Sequence, residues 1–313
     1  INGWAISVGI LECPWQLRNL GWQDDKRSKL WRYNQHYFDD LNAIDATERS
    51  KWHNDLLAKW ISENPFAVGV GWEPYPTSVR IVNWIKCSYQ NNLLSAEAVQ
   101  NLALQGRWLE RNIEWHLLGN HLFTNAKALV YVGLYFQGKE ADRWFNKGMT
   151  ILNDQVDEQI LEDGGHFEQS TMYHALALED LLDLINLCRH KLSRLSSDHR
   201  KQLLHWRLVA NRMVHWLKVM SYPDGKISFF NDSAFKVAPS NRELFDYAQR
   251  CGIDNPKIQK GVQCLTESGY LRLENDKSIL IADLANVAAY YIPGHSHADT
   301  LTFEFFCRGT RVI

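Results

Sequence analysis

The hydrophobic pattern changes once along this chain, and that change limits the fold more than any other feature. From Ala46 to about Ser221, apolar residues recur with the 3.6-residue period of helices that bury one face. From Gly261 onward the period is two, as in strands, and Asn275-Asp276 is typical of a hairpin turn. Helices followed by strands indicate an α+β chain of two domains, for which we predict the ranges 1–258 and 259–313.

The helical region reads as consecutive hairpins of helices that are apolar on one broad face. This pattern favours a layered bundle or an α/α toroid, in which helical hairpins surround a central cleft. Ser95 and Ser197 are predicted N-caps. The final GTRVI resembles a turn and the start of a strand, so we expect a fragment that continues into a β-rich region. The predicted helices are 46–63, 76–92, 96–117, 121–136, 140–159, 168–192, 196–220 and 241–252.

Composition excludes some classes of function. The net charge of -2 over 313 residues argues against nucleic acid or an anionic membrane as the main partner. No apolar run is long enough to span a bilayer, and no signal peptide is visible. The 13 Trp, 12 Tyr and 13 Phe suit a large core and also stacking on sugar rings. Buried free thiols are predicted for the six cysteines, which are Cys13, Cys87, Cys188, Cys251, Cys264 and Cys307.

Two polar clusters interrupt the helical pattern. GNHLFTNAKAL places Asn120 and His121 at a break between helices, where they are either a helix cap or functional groups. DGGHFEQSTMYH begins another helix, and there we expect Gln169–Tyr173 and Ser170–His174 to be i,i+4 neighbours. This second cluster also contains His166 and Glu168. A tyrosine in such a place is either a core residue or a catalytic one.

Further candidates lie near both ends of the chain. In PGHSHADTLTFEF, His295, His297 and Asp299 occupy alternate positions, so they share one side if the strand has already begun. That arrangement suits a metal ligand, a general acid or base, or a surface strand end with incidental histidines. In EPYPTSVRIVNW, Arg80 lies on one helical face with Asn83 and Trp84, and it either grips a carboxylate or pairs with a structural acid. His36 falls in a similar aromatic and polar run with Asn34 and Tyr37.

Five stretches together resemble one family. They are YNQHYFDDLNA, EPYPTSVRIVNW, GNHLFTNAKAL, GGHFEQSTMYH and GHSHADTLTFEF. Their kind and order resemble the heparinase II/III-like polysaccharide lyases, and among these the members found beside bacterial surface-polysaccharide genes. The resemblance implies an alginate-lyase-like α/α toroid followed by the beginning of an antiparallel β-sandwich. It also implies β-elimination at a uronic acid of an acidic polysaccharide or oligosaccharide.

The resemblance assigns roles to individual residues. Asn120 would neutralise the substrate carboxylate, and His295 would be the base for one uronate epimer. Tyr173 would be the acid and, if its pKa is lowered, also a base. His297 would bind a structural zinc whose other ligands lie beyond this chain, and no other cofactor is implied. Trp72, Trp84 and Tyr37 could stack on sugars. The residues placed around the substrate are Arg80, His121, Glu168, His174, His36 and Trp84.

Several alternatives remain open at the level of sequence. A glycoside hydrolase on the same scaffold would need two carboxylates about 5–9.5 Å apart, for which Glu168 and Asp232 are the pair to inspect. A non-catalytic polysaccharide-binding or assembly protein would keep the fold and the aromatic residues. By resemblance we expect the periplasm or the cell exterior, with the cytoplasm still possible. The glycan, the uronate epimer, endo or exo action and the oligomeric state stay open.

Overall fold

A computed structural model describes residues 21–90, 94–254, 257–287 and 291–312. The chain divides into two compact units, Ile1–Leu152 and Asn153–Ile313.

The described part of the first unit is helical. The predicted helix 46–63 begins with a 3-10 turn, Ala46–Arg49, and becomes α-helical at Ser50. The predicted helix 96–117 ends earlier, at Arg111. The Ser95 cap is confirmed, because its Oγ accepts a hydrogen bond of 3.1 Å from the backbone N–H of Ala98. The helices are α1 Lys29–Asn34, α2 Ser50–Glu63, α3 Pro74–Tyr89, α4 Ala96–Arg111, α5 Gly119–Tyr135 and α6 Lys139–Gln159, whose last turns belong to the second unit.

Tryptophans form much of the core of the first unit. Trp60 and Trp84 are both fully buried and meet edge to face, with ring centroids 5.8 Å apart. Trp72 lies 5.8 Å from Trp60 on another side. Such aromatic pairs each contribute about 0.5–1.5 kcal/mol beyond the area they bury. The aromatic surplus of the sequence is therefore largely core in this unit.

The second unit combines helices with a sheet. Ser170 caps its first helix, and Ser196, one residue before the predicted cap, accepts from the N–H of His199 at 3.2 Å. Gly164, at φ 91°, packs against the backbone of Arg212, where a Cβ would lie 2.4 Å from its carbonyl atoms. The elements are α7 Thr171–His190, α8 Ser197–Val219, α9 Asn241–Arg250, β1 Gly261–Leu265, β2 Tyr270–Glu274, β3 Ser278–Asp283, β4 Phe303–Cys307 and β5 Thr310–Arg311.

The five strands form an antiparallel sheet in chain order. The predicted hairpin turn is confirmed, because the N–H of Asn275 donates to the carbonyl of Ser278 at 3.0 Å. One face of the sheet carries Ile281 and Phe306, which are buried in one core cluster with Trp216 of α8. Alternate residues point away from that core, as the period of two requires.

The opposite face of the sheet is also apolar. Val262, Leu273, Leu280 and Phe305 are paired in sequence across β1 to β4. Val262 is 64% exposed and Leu273 39% exposed among the described residues. A sheet with apolar residues on both faces is typical of one layer of a β-sandwich. Helices followed by an antiparallel sheet confirm the predicted α+β class.

Four local predictions are wrong. Strand β4 begins at Phe303, and Pro293–His295 is a 3-10 turn, so His295, His297 and Asp299 do not alternate along a strand. Helix α7 begins at Thr171, and Gln169 has φ 56°, so Gln169 precedes the helix and does not pair with Tyr173. The predicted Ser170–His174 pair is present, because the carbonyl of the N-cap Ser170 accepts from the N–H of His174 at 2.9 Å. The last two wrong predictions concern Cys264, which is exposed, and Cys307, which is partly exposed, because both belong to the sheet face that carries Val262 and Phe305, opposite the core cluster.

The remaining cysteine and membrane predictions have simple outcomes. Buried free thiols are confirmed for Cys87, Cys188 and Cys251, whereas Cys13 lies outside the described residues. Within the described ranges, no helix has the length and apolar character needed to cross a membrane.

Candidate active site

Two of the predicted catalytic residues meet in the second unit. Tyr173 is the third residue of α7, whose N-cap Ser170 accepts from its backbone N–H at 3.3 Å. His295 ends the 3-10 turn Pro293–His295. The two rings lie with centroids 3.9 Å apart and their planes inclined by 36°. A partly buried tyrosine and a partly exposed histidine are therefore in direct contact, although they are 122 positions apart in the sequence (295 − 173).

Asp232 completes this cluster. Its Oδ2 lies 2.9 Å from Nδ1 of His295, and its backbone N–H donates to the carbonyl of His295 at 3.2 Å. The side chains are 25% exposed for His295 and 48% exposed for Asp232. Sequence reasoning considered Asp232 only as a partner of Glu168 in a hydrolase. The signal that could have found its place is the loop PDGKISFFNDS, which carries a concentration of turn residues.

The environment of Tyr173 keeps its hydroxyl protonated. Burial raises the pKa of Tyr173 to about 12, and the negative charges of Asp232 and Glu168 add to the effect. A hydroxyl with this pKa retains its proton at neutral pH and can donate it. The arrangement suits a general acid, and it does not supply the lowered pKa that a tyrosinate base requires.

Asn231 ties together the segments that carry these residues. It is buried and has φ 52°, in the left-handed region that asparagine tolerates better than most residues. Its side-chain amide donates to the carbonyl of Gln169 at 3.2 Å, and its Oδ1 accepts from the N–H of His297 at 3.0 Å. Its own N–H donates to the carboxylate of Asp299. Sequence reasoning missed Asn231.

The other polar residues at the start of α7 are buried. Nε2 of His174 donates to the carbonyl of Met213 at 3.0 Å, and its Nδ1 accepts from the N–H of His166 at 3.2 Å. Burial lowers the pKa of His174 to about 4. Glu168 is 3% exposed, with Oε2 3.9 Å from Nδ1 of His166. The substrate roles of Glu168 and His174 stay predictions. Because both side chains are buried, they could affect a substrate only through the residues that they contact.

Asn120 and His121 lie in the first turn of α5, in the first unit. Both are partly buried, and Nδ1 of His121 lies 3.2 Å from a carboxylate oxygen of Glu114. Asn125, one turn later, accepts from the N–H of Glu114 at 2.9 Å and donates to its carboxylate at 3.2 Å. These bonds hold the chain segment before α5 against its first turn. Asn120 lies in this first turn, directly before His121.

Three partly exposed tyrosines line the same part of the first unit. The Tyr75 ring lies 4.6 Å from that of His121, and Tyr33 and Tyr37 lie 6.5 and 6.2 Å from Tyr75. The hydroxyl of Tyr33 donates to Glu73, which also pairs with Lys29. Tyr33 and Tyr75 were not singled out from the sequence. Their clustering depends on three separate chain segments that sequence spacing does not relate.

Arg80, Trp84 and His36 belong to the core of the first unit, and all three are 0% exposed. The guanidinium of Arg80 donates to the carbonyl of Gly71 at 2.8 Å and lies 3.9 Å from the ring centroid of Trp60. Nδ1 of His36 accepts from the indole N–H of Trp60 at 2.9 Å, and burial, followed by the charge of Arg80, lowers the pKa of His36 to about 3. Their substrate roles stay predictions, and because all three are buried, none of them can touch a substrate in this conformation.

The predicted zinc site has one described candidate, His297. It is exposed, and its backbone N–H donates to Asn231. Within the described residues, no three or more His, Cys, Asp or Glu side chains are grouped to hold a metal ion. The zinc site stays a prediction, with His297 as its described candidate.

Comparisons with known proteins agree on one family. The family model described as heparinase II/III N-terminus matches residues 12–251, and that described as heparinase II/III-like, C-terminal, matches residues 258–313. A heparin-sulfate lyase from Bacteroides stercoris is 28% identical over 210 residues, covering 62% of this chain and 31% of that protein. A heparin-sulfate lyase from Pedobacter heparinus is 25% identical over 210 residues, covering 61% and 30%.

The solved structures agree on the fold. The crystal structure of Heparinase III matches with a TM-score of 0.72 and 19% identity, over 92% of this chain and 50% of that chain. This likeness confirms the predicted fold class, helical hairpins of the α/α toroid type followed by an antiparallel sheet of the β-sandwich type. The chain spans about a third of the length of these curated relatives and half of that solved chain. Because the family models match nearly the whole sequence, the chain belongs to the heparinase II/III family.

Proposed function

We propose that this chain is part of a polysaccharide lyase that cleaves a uronic-acid-containing glycan by β-elimination. The observation that carries the proposal is the contact of Tyr173 with His295, whose Nδ1 lies 2.9 Å from Asp232. Membership of the heparinase II/III family supports it, as do relatives called heparin-sulfate lyases. The substrate would be an acidic polysaccharide or oligosaccharide.

The reaction needs three groups. The C5 proton of a uronate becomes acidic only when the neighbouring carboxylate is neutralised, and the Asn120 amide would donate hydrogen bonds to it. His295 would then remove the C5 proton. The electron pair of the C5–H bond forms the C4–C5 double bond, and the C4–O bond breaks. Tyr173 would give its proton to the departing glycosidic oxygen, and the product ends in a 4,5-unsaturated uronate.

The raised pKa of Tyr173 supports its role as the acid, with His295 as the base. A pKa of about 12 keeps the phenol protonated until negative charge develops on the leaving oxygen beside it. Imidazole is the side chain that most often serves as a general base, which suits His295. The residues Arg80, His36 and Trp84 would act indirectly by shaping the unit around Asn120, whereas His121 is exposed enough to touch the substrate.

The alternatives have less support. A hydrolase would need Glu168 and Asp232 to face the sugar, but Glu168 is 3% exposed and Asp232 contacts His295. A binding protein with Tyr173 locked into its core would bury that ring, which is partly exposed. We further propose a structural zinc on His297 in the complete protein and a location in the periplasm or outside the cell.

The test is the ultraviolet absorbance of the unsaturated uronate. Full-length protein would be incubated with heparan sulfate, alginate and uronate-containing capsular polysaccharides. Tyr173→Phe should abolish the rise, whereas the control Tyr291→Phe, an exposed tyrosine of the same unit, should retain it. Activity that survives in Tyr173→Phe would remove Tyr173 from the mechanism. Glycan binding without any rise in absorbance would favour the binding protein.

A further inference from the structure

Asp232 makes contact with both of the segments that carry Tyr173 and His295. Its carboxylate lies 2.9 Å from Nδ1 of His295, and its N–H donates to the carbonyl of the same residue. Its own carbonyl accepts from Oγ of Ser170 at 3.0 Å, and that Oγ accepts from the N–H of Tyr173. One residue therefore joins the imidazole to the N-cap of the helix that presents the phenol.

The contact with the carboxylate determines which imidazole nitrogen is free. A carboxylate only accepts hydrogen bonds, so Nδ1 must carry the proton that it donates to Asp232. In the neutral ring Nε2 then holds the lone pair. The two backbone bonds from the Asp232 residue limit its movement, which in turn limits rotation of the ring that lies on Tyr173.

The neighbouring residue holds this loop in place. Asn231 is buried and bonds Gln169 on one side and the chain at His297 on the other. These bonds and the backbone bonds of Asp232 hold the loop without the Asp232 carboxylate, which is available to act on His295. Because that carboxylate is 48% exposed, its removal should leave the fold intact.

We propose that Asp232 is a positioning residue that holds His295 with Nδ1 protonated and with Nε2 directed away from Asp232 as the proton acceptor. The expected fall in kcat rests on the proposed lyase function, whereas the expected tautomer of His295 does not. Asp232 would touch neither the substrate nor the reacting atoms, and it would act only through His295.

The experiment uses full-length protein with Asp232→Asn, Asp232→Ala and Asp232→Glu. The control is Asp224→Asn, a loss of the same charge earlier in the same loop, where Asp224 pairs with Arg311 and does not contact His295. Heparan sulfate or whichever uronate glycan shows turnover serves as substrate. For Asp232→Ala we expect kcat to fall about 10–100-fold, as for other residues that orient a functional histidine, with KM changed less than about two-fold. Asp232→Glu should recover part of the loss, and the control should lose little.

The second readout does not depend on activity. Long-range proton–nitrogen correlation spectra of histidine-labelled protein, with His295→Gln to assign the signal, report which ring nitrogen carries the proton. We expect the Nδ1–H form in the unmodified protein and in Asp224→Asn, and a shift toward the Nε2–H form in Asp232→Ala.

The two readouts separate the possible failures. If no glycan is cleaved but the tautomer shifts in Asp232→Ala, the lyase proposal fails and the positioning role of Asp232 stands. If turnover occurs and neither the tautomer nor kcat responds to Asp232→Ala, the positioning role is overturned and the lyase proposal stands. A fall in kcat with an unchanged tautomer also overturns it, because Asp232 would then act in another way.

Discussion

Two polar regions of this protein look alike in sequence and differ in structure. The Arg80 region of the first unit and the Tyr173 region of the second each combine histidine, aromatic residues and a charged group. Arg80 and His36 are 0% exposed and bond to carbonyl and indole groups of their own core. His295 and Asp232 are 25% and 48% exposed and bond to each other. Buried polar groups that bond to partners of their own core serve architecture, whereas partly exposed titratable groups in contact can serve chemistry.

The sharpest test of this contrast exchanges one histidine in each region for glutamine. His295→Gln should lower kcat about 10²–10⁴-fold, the usual contribution of a general base, with little change in the melting temperature. His36→Gln should do the reverse, because it disturbs the bond to Trp60 and costs about 1–3 kcal/mol of stability. Steady-state kinetics and thermal unfolding of both variants decide the matter. If His295→Gln lost stability and kept its kcat, His295 would be a structural residue like His36, and the difference between the two regions would be contradicted.

Arg80→Ala should have the next largest effect, on stability alone. The substitution leaves a cavity beside Trp60 and removes the donors to the Gly71 carbonyl and to Gln105. We expect the free energy of unfolding to fall by about 3–5 kcal/mol. Denaturant unfolding measures it, with Arg242→Ala as the control, since the side chain of Arg242 is 91% exposed and should cost at most about 0.5 kcal/mol. A stable Arg80→Ala protein with a raised KM would instead place Arg80 at the substrate.

Acid should destabilise both units through their buried histidines. The folded pKa is about 3 for His36 and His166 and about 4 for His174, in each case because burial disfavours the charged ring. The unfolded chain binds these protons near its ordinary pKa of about 6.5, so stability must fall as pH decreases from about 6.5 toward 4. By pH 4 the loss should be on the order of 3 kcal/mol for each of the three histidines, since one pKa unit corresponds to about 1.4 kcal/mol.

Thermal unfolding across this pH range checks the prediction. His174→Gln should show a shallower dependence on pH than the unmodified protein, whatever its stability at neutral pH. An equal slope in both proteins would mean that His174 is not held neutral.

The smallest effect concerns the tyrosines beside His121. Tyr75 is partly exposed and comes from the same motif as the buried Trp84. If Tyr75 stacks on a sugar ring, Tyr75→Leu should raise KM about 3–10-fold, the equivalent of 0.5–1.5 kcal/mol of aromatic contact. Tyr75→Phe keeps the ring, so its KM should stay near that of the unmodified protein. Equal KM values in all three proteins would leave the tyrosines as packing residues.

The sequence could predict a large part of the local structure. Periodicity located most helices to within a few residues, and the Ser95 cap and the Asn275 hairpin turn are where their residue types require. The errors lie at places where local preference is weak. The strand predicted at His295 begins at Phe303 instead, because the preceding residues bond to the loop at Asn231 and Asp232 rather than to a neighbouring strand.

The sequence by itself determined the order of helices and sheet, the family, and the residue types able to perform an elimination. These depend on periodicity and motifs, which are local properties of a chain. Only the tertiary structure decided that Arg80 and Trp84 are buried and that Asp232 meets His295 across 63 positions of sequence. Burial and pairing of distant residues depend on how elements pack, and many packings are compatible with one pattern of apolar residues.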